Sequence, residues 1–187
     1  MKKMILMAAV MLSSVFAMAQ QPAGSLTLKP EVGMTIANIT KSDLNTKIGL
    51  VAGAELEYML TNNFSLTAGA LYSMQGAKKD DYKINLEYIN VPVMARFYPV
   101  SGLSLGAGVQ FGFKTKGEVE IYNHSGDLKD QLKSVDISIP LGLAYEFNDF
   151  VIDARYNLGM SGIFDYDALD DYKNSVFQIT LGYKFAL

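Results

Sequence analysis

Side chains able to do chemistry are few in this 187-residue chain, and they are scattered. There is one histidine, His124, and no cysteine, and no serine and carboxylate stand near that histidine in a pattern that builds a nucleophile and its base. Gly106-Ala107-Gly108-Val109-Gln110-Phe111-Gly112 has the look of a phosphate-cradling glycine run, but its last spacing is one residue too long and no helix follows, so it reads as strand. Asp80, Asp81, Asp127, Asp130, Asp165, Asp167, Asp170 and Asp171 offer the oxygen ligands that a hard cation such as Ca²⁺ takes. Their spacing lacks the central glycine and closing glutamate of an EF-hand loop, so they read as solvated loop charge. The sequence therefore assigns no catalytic residue, no cofactor and no metal, and the protein is not read as an enzyme.

A second set of charges gains meaning only if the fold gathers it. Lys29, Arg96, Lys114, Arg155 and Lys184, with Glu31, Glu55, Glu57, Asp136, Glu146 and Asp153, lie far apart in the chain yet each falls on the polar face of an alternating segment. Apolar and polar or small residues alternate with period two from Leu26 onward, which predicts strands near 26–37, 46–60, 64–77, 85–98, 103–117, 133–147, 150–164 and 175–187. The breaks at Thr61-Asn62-Asn63, Val100-Ser101-Gly102 and Asn148-Asp149 are tight. Those around 38–45, 78–84, 118–132 and 165–174 are long and polar, and the fourth also carries Ile163, Phe164, Tyr166, Leu169 and Tyr172. Short turns at one end and long loops at the other predict an all-β, eight-stranded antiparallel up-and-down transmembrane barrel.

Alternation alone does not say which face looks outward, since a soluble barrel would turn its apolar face in. Ten of the 16 glycines (Gly33, Gly49, Gly53, Gly69, Gly106, Gly108, Gly112, Gly142, Gly159 and Gly182) sit on the polar face, and small residues belong where side chains converge on a narrow axis. The apolar face carries no charge, as a lipid-facing wall requires. Tyr58, Phe64, Phe97, Tyr145, Phe147, Phe150, Tyr183 and Phe185 gather at the short-turn ends, and Tyr72, Phe111, Phe113 and Phe177 toward the loops, as two interfacial girdles. The inward charges then predict a paired network that fills the barrel. Pro92 and Pro140 fall inside strands, where either is expected to shift parity by one.

Lys2-Lys3, an apolar run from Met4 to Leu12 and Ala17-Met18-Ala19 before Gln20 predict a cleaved secretory signal at 1–19, leaving a barrel domain at 20–187. Without Lys2 and Lys3 the chain has 14 basic and 19 acidic residues, a formal charge of −5, which offers nothing to nucleic acid. After residue 19 no apolar run is long enough for a membrane-spanning helix.

The last residues, Thr180-Leu181-Gly182-Tyr183-Lys184-Phe185-Ala186-Leu187, resemble the β-signal of outer-membrane proteins, departing from it only in ending on Leu rather than Phe. That resemblance implies recognition by the barrel-assembly machinery through Thr180, Gly182, Phe185 and Leu187. Tyr88-Ile89-Asn90-Val91-Pro92-Val93, Ile139-Pro140-Leu141-Gly142, Asp153-Ala154-Arg155-Tyr156-Asn157-Leu158-Gly159 and Leu181-Gly182-Tyr183-Lys184-Phe185 resemble the outer-membrane β-barrel domain family often labelled porin family or PorT-like, with a likeness to OmpX-type small barrels. The resemblance spans about 26–187 and implies the fold and the outer membrane of a Gram-negative bacterium. Function follows less directly, because fold does not dictate activity. The expected role is structural or interactive: a monomer in outer-membrane lipid, closed inside, with loops that bind an extracellular protein or surface ligand. The alternatives are a narrow channel for small solutes and a PorT-like accessory factor in protein secretion.

Overall fold

A computed structural model describes residues 21–40, 45–79, 82–121, 124–127, 133–162 and 173–187. The expected signal at 1–19, the aspartates Asp80, Asp81, Asp130, Asp165, Asp167, Asp170 and Asp171, and the fourth-loop residues Ile163, Phe164, Tyr166, Leu169 and Tyr172 lie outside the described residues. The strands are β1 (Leu26–Ile39), β2 (Asn45–Met59), β3 (Phe64–Lys79), β4 (Tyr82–Val100), β5 (Leu103–Ile121), β6 (His124–Asp127), β7 (Val135–Phe147), β8 (Phe150–Gly162), β9 (Lys173–Tyr183) and β10 (Phe185–Ala186). Each pairs antiparallel with its neighbour, and β1 closes the sheet by pairing with β9 and, beyond a break at Lys184, with β10. Counting β9 and β10 as one staple and β6 as an appendage of β5, the wall is an eight-stranded up-and-down barrel. No described helix is long and apolar enough to cross a membrane.

Burial alternates residue by residue, as period two demands. Along β9 it runs Asn174, Val176, Gln178 and Thr180 buried against Phe177, Ile179 and Leu181 exposed. The exposed wall is apolar from Tyr58, Phe64, Phe97, Phe147 and Phe150 at the short turns to Tyr72, Phe111, Phe113, Tyr156 and Phe177 at the other end. Ring pairs stiffen the short-turn girdle, with centroids 4.9 Å apart for Phe64 and Phe97, 5.0 Å for Phe150 and Tyr183, and 4.7 Å for Tyr183 and Phe185. Inside, neighbouring strands come so close that glycine is required: a Cβ at Gly53 would lie 2.1 Å from the Ala70 carbonyl oxygen, and one at Gly33 would lie 2.0 Å from that of Ile179.

Two expectations need correction. Neither proline shifts the register: Pro92 opposes Gln110 and Pro140 opposes Asn157, both in step with their flanking pairs. A single missing N–H costs one ladder bond, and the pairs on either side hold the strand. Register shifts occur elsewhere, between Thr46 and Val51, Phe97 and Val100, Leu158 and Gly162, and where Glu87 opposes Lys116 and Tyr88 opposes Lys114, leaving Thr115 as the extra residue, whose Oγ1 donates to the Glu87 carbonyl at 3.1 Å. The long breaks expected at 78–84 and 118–132 are also partly strand, since β3 runs to Lys79 and β4 begins at Tyr82, with Lys79 opposite Tyr82. β5 continues to Ile121, and β6, which includes His124, folds back along it from Ile121↔His124 to Glu118↔Asp127.

Candidate functional site

The inward charges meet in two storeys. In the middle of the barrel β1 contributes Lys29 and Glu31, β2 Glu55, β4 Arg96, and β8 Asp153 and Arg155, all almost wholly buried. Arg155 grips Glu55 with two nitrogens, Nη1 to Oε1 at 2.8 Å and Nη2 to Oε2 at 3.2 Å, and turns Nη2 also to Asp153 Oδ2 at 2.9 Å. Lys29 Nζ reaches Glu55 at 2.9 Å, Glu31 at 3.0 Å and Asp153 at 3.5 Å. Arg96 pairs closely with Asp153 and lies 3.7 Å from Glu55. Three cations thus face three carboxylates, a balance that burial demands because an unpaired buried ion costs several kcal/mol. The Glu31, Glu55 and Asp153 oxygens converge within 4.8 Å of one another, near enough to share a hard cation, but Lys29, Arg96 and Arg155 already supply the positive charge there.

Nearer the short turns lies a smaller group. Lys184 Nζ bridges Glu57 at 2.7 Å and Glu146 at 2.5 Å, and sits over the Tyr98 ring, 5.6 Å from its centroid. Ser65 donates to Glu57 at 2.6 Å, and the Tyr98 hydroxyl also donates to Glu57. Two carboxylates here share one ammonium, and the hydroxyls take up part of the excess acceptor capacity. The cavity between the storeys measures about 10 Å³, the space of one water at most.

Asp136 and Lys114 stand higher and are only half-buried. Asp136 opposes Gly112 and accepts from Ser161 Oγ at 2.7 Å, while the backbone of Lys114 is tied to Ser134. Above the ions the interior turns to amides and apolar side chains: Asn174 donates across the barrel to Gln75, and Leu71, Leu86 and Tyr88 are almost wholly buried. Reading charge alone misses Ser65, Tyr98, Gln75 and Asn174; their shared inward parity with the charged residues was the available signal.

The four terminal-signal residues divide by face. Thr180 Oγ1 donates to Glu31 at 2.9 Å and Gly182 packs beside the Lys29 side chain, whereas Phe185 and Leu187 project outward from the wall.

A sequence model of the outer membrane protein β-barrel domain matches residues 5–185. The chain belongs to that family. As an outer membrane barrel it sits in the Gram-negative outer membrane, its apolar wall against lipid. Its fold is similar to that of Ail, the attachment invasion locus protein of Yersinia pestis, at 19% identity over 87% of this chain and 99% of that chain with a TM-score of 0.53. Ail in complex with the heparin analogue sucrose octasulfate matches at 18% identity, again over 87% and 99% of the two chains, with a TM-score of 0.54. Neisserial surface protein A matches at 14% identity over 86% of this chain and 97% of that chain, with a TM-score of 0.57. None of the curated protein sequences compared with the chain matches it.

The rim of the barrel is uneven. β5 pairs with β7 only as far as Phe113↔Val135, yet with β4 as far as Ile121↔Tyr82, eight residues or roughly 25 Å further along the strand. β3 accompanies them to Lys79, and β6 adds a strand on the other side. β2 also runs beside β3 as far as Asn45↔Lys78, so the result is a ledge that is highest along β4 and β5 and steps down where β5 meets β7. On its outer face Tyr72 donates to Glu87 at 2.5 Å, and Lys116 pairs with Glu118 at 3.1 Å, both exposed.

Proposed function

We propose that this is a closed surface barrel whose work is attachment, done by the strand ledge at the long-loop end. The observation that carries the reading is the ledge itself. Among the described residues strand pairing runs furthest past the apolar wall along β4 and β5, and β6 pairs with β5 alone. Exposed strand edges and long polar loops are where barrels of this kind meet partners. The likeness to Ail, an attachment and invasion protein, and to a Neisserial surface protein supports the same reading, with an extracellular protein or a sulfated polysaccharide of the heparin type as the ligand class to test first.

In the same reading the protein is a monomer, and Thr180, Gly182, Phe185 and Leu187 form the signal read by the barrel-assembly machinery, with Phe185 and Leu187 presented outward for it. The ion-filled interior argues against the channel and leaves a PorT-like secretion role without a structural feature of its own. Replacing residues 118–127 with a short turn tests the proposal. Cells displaying the shortened barrel should lose binding to host-cell or heparin-coated surfaces while the purified protein keeps its heat-modifiable gel mobility. Undiminished binding by a correctly folded shortened barrel contradicts it.

A further inference from the structure

The seam where the barrel closes carries a groove on its lipid-facing wall. Between Glu31↔Gly182 and Leu28↔Phe185 the register of β1 is unbroken, but Lys29 and Pro30 make no ladder pair with the last strand. Pro30 has no N–H to give, while the Lys184 N–H continues the β8 ladder by donating to the Asp149 carbonyl at 2.7 Å. Outside this gap the wall is hollowed into a groove of about 390 Å³, edged by Pro30, Val32, Ala52, Phe150, Leu181 and Tyr183. Its rim residues Phe150 and Tyr183 belong to the short-turn girdle, so the groove opens to the periplasmic leaflet.

We propose that this groove is a binding site for one acyl chain of a periplasmic-leaflet phospholipid with an ammonium headgroup. The groove is continuous with the wall that already faces lipid, and its edge is apolar, so hydrocarbon is what fills it. The headgroup class follows from charge. At the mouth Tyr183 donates to the exposed Asp149 carboxylate at 3.1 Å, and the adjoining segments, residues 21–25, 60–63 and 147–150, carry no Lys or Arg. An ammonium is attracted there, and an anionic glycerol headgroup finds a carboxylate with no cation beside it. The chain lying in the groove covers the strand gap at Pro30, the one place where the closing seam lacks its ladder.

Native mass spectrometry of the barrel released into mild detergent from bilayers of equal phosphatidylethanolamine and phosphatidylglycerol tests this. Wild type should retain one phospholipid, with phosphatidylethanolamine favoured about threefold, as an exposed ion pair allows. Ala52→Phe, which fills the groove, should lose the lipid, whereas Ala107→Phe on the outward face of β5 should keep it. Asp149→Asn should keep the lipid and lose the headgroup preference. Retention by Ala52→Phe equal to wild type, a preference for phosphatidylglycerol, or a wild-type dimer abolished by Ala52→Phe would each overturn the proposal. If Ala52→Phe fails to fold, phosphatidylethanolamine with a diazirine in its acyl chain gives the answer on wild type: crosslinks centred on Leu181–Tyr183 support the site, and crosslinks spread evenly round the wall refute it.

Discussion

The middle of the barrel and the ledge above it are built from the same kind of strand but hold together in different ways. At mid-barrel each inward ion has its counter-ion: Arg155 clasps Glu55 and Asp153, and Lys29 touches three carboxylates. On the ledge the described ion pair, Lys116–Glu118, is partly open to solvent, and pairing ends at β6. The contrast separates two tasks. The interior is charge used as filling, in which removing one partner strands the others. The ledge is carried by strand pairing, with Leu86 buried on its inner face.

Substitutions can break or sharpen that contrast, measured as unfolding free energy in lipid vesicles. Arg155→Met should have the largest effect, a loss of about 3–5 kcal/mol, because Glu55 and Asp153 remain buried with part of their counter-charge gone. A loss below about 1 kcal/mol would mean that water reaches the cluster. Val109→Arg, on the lipid-facing wall midway between the girdles, should cost about 2–4 kcal/mol. A neutral outcome there would place β5 outside the bilayer. Tyr98→Phe should cost about 1 kcal/mol, since Glu57 keeps Ser65 and Lys184 as donors. Lys116→Ser on the ledge should change stability by less than about 0.5 kcal/mol, as exposed ion pairs do. A cost as large as that of Tyr98→Phe would erase the distinction between the two regions.

The eight wall strands were legible because one residue in two announces its face: Ile137, Leu141 and Leu143 outward, Ser138, Pro140 and Ala144 inward. So was the inward set of charges. Which ion meets which was not, since Arg155 and Glu55 are 100 residues apart and touch only because strands three apart round the wall project to one axis. Tyr98 and Ser65 escaped notice for a different reason: uncharged side chains on a polar face give no hint that a carboxylate lies opposite. β6 was hidden by its composition. His124-Ser125-Gly126-Asp127 reads as turn, and only the neighbouring β5 edge makes it a strand. The bulge at Thr115 likewise has no local mark, whereas the two prolines that suggested bulges interrupt a ladder on one side without shifting its register.

The claim that the interior is filling and the rim is the working part is tested most directly by recording from the purified barrel in a planar bilayer. With Arg155, Glu55, Asp153 and Lys29 in place the bilayer should show no steady current above that of protein-free lipid. Reproducible, ion-selective conductance steps from the wild-type protein, altered in size by Arg155→Met, would contradict the claim and make the charge cluster a pore lining.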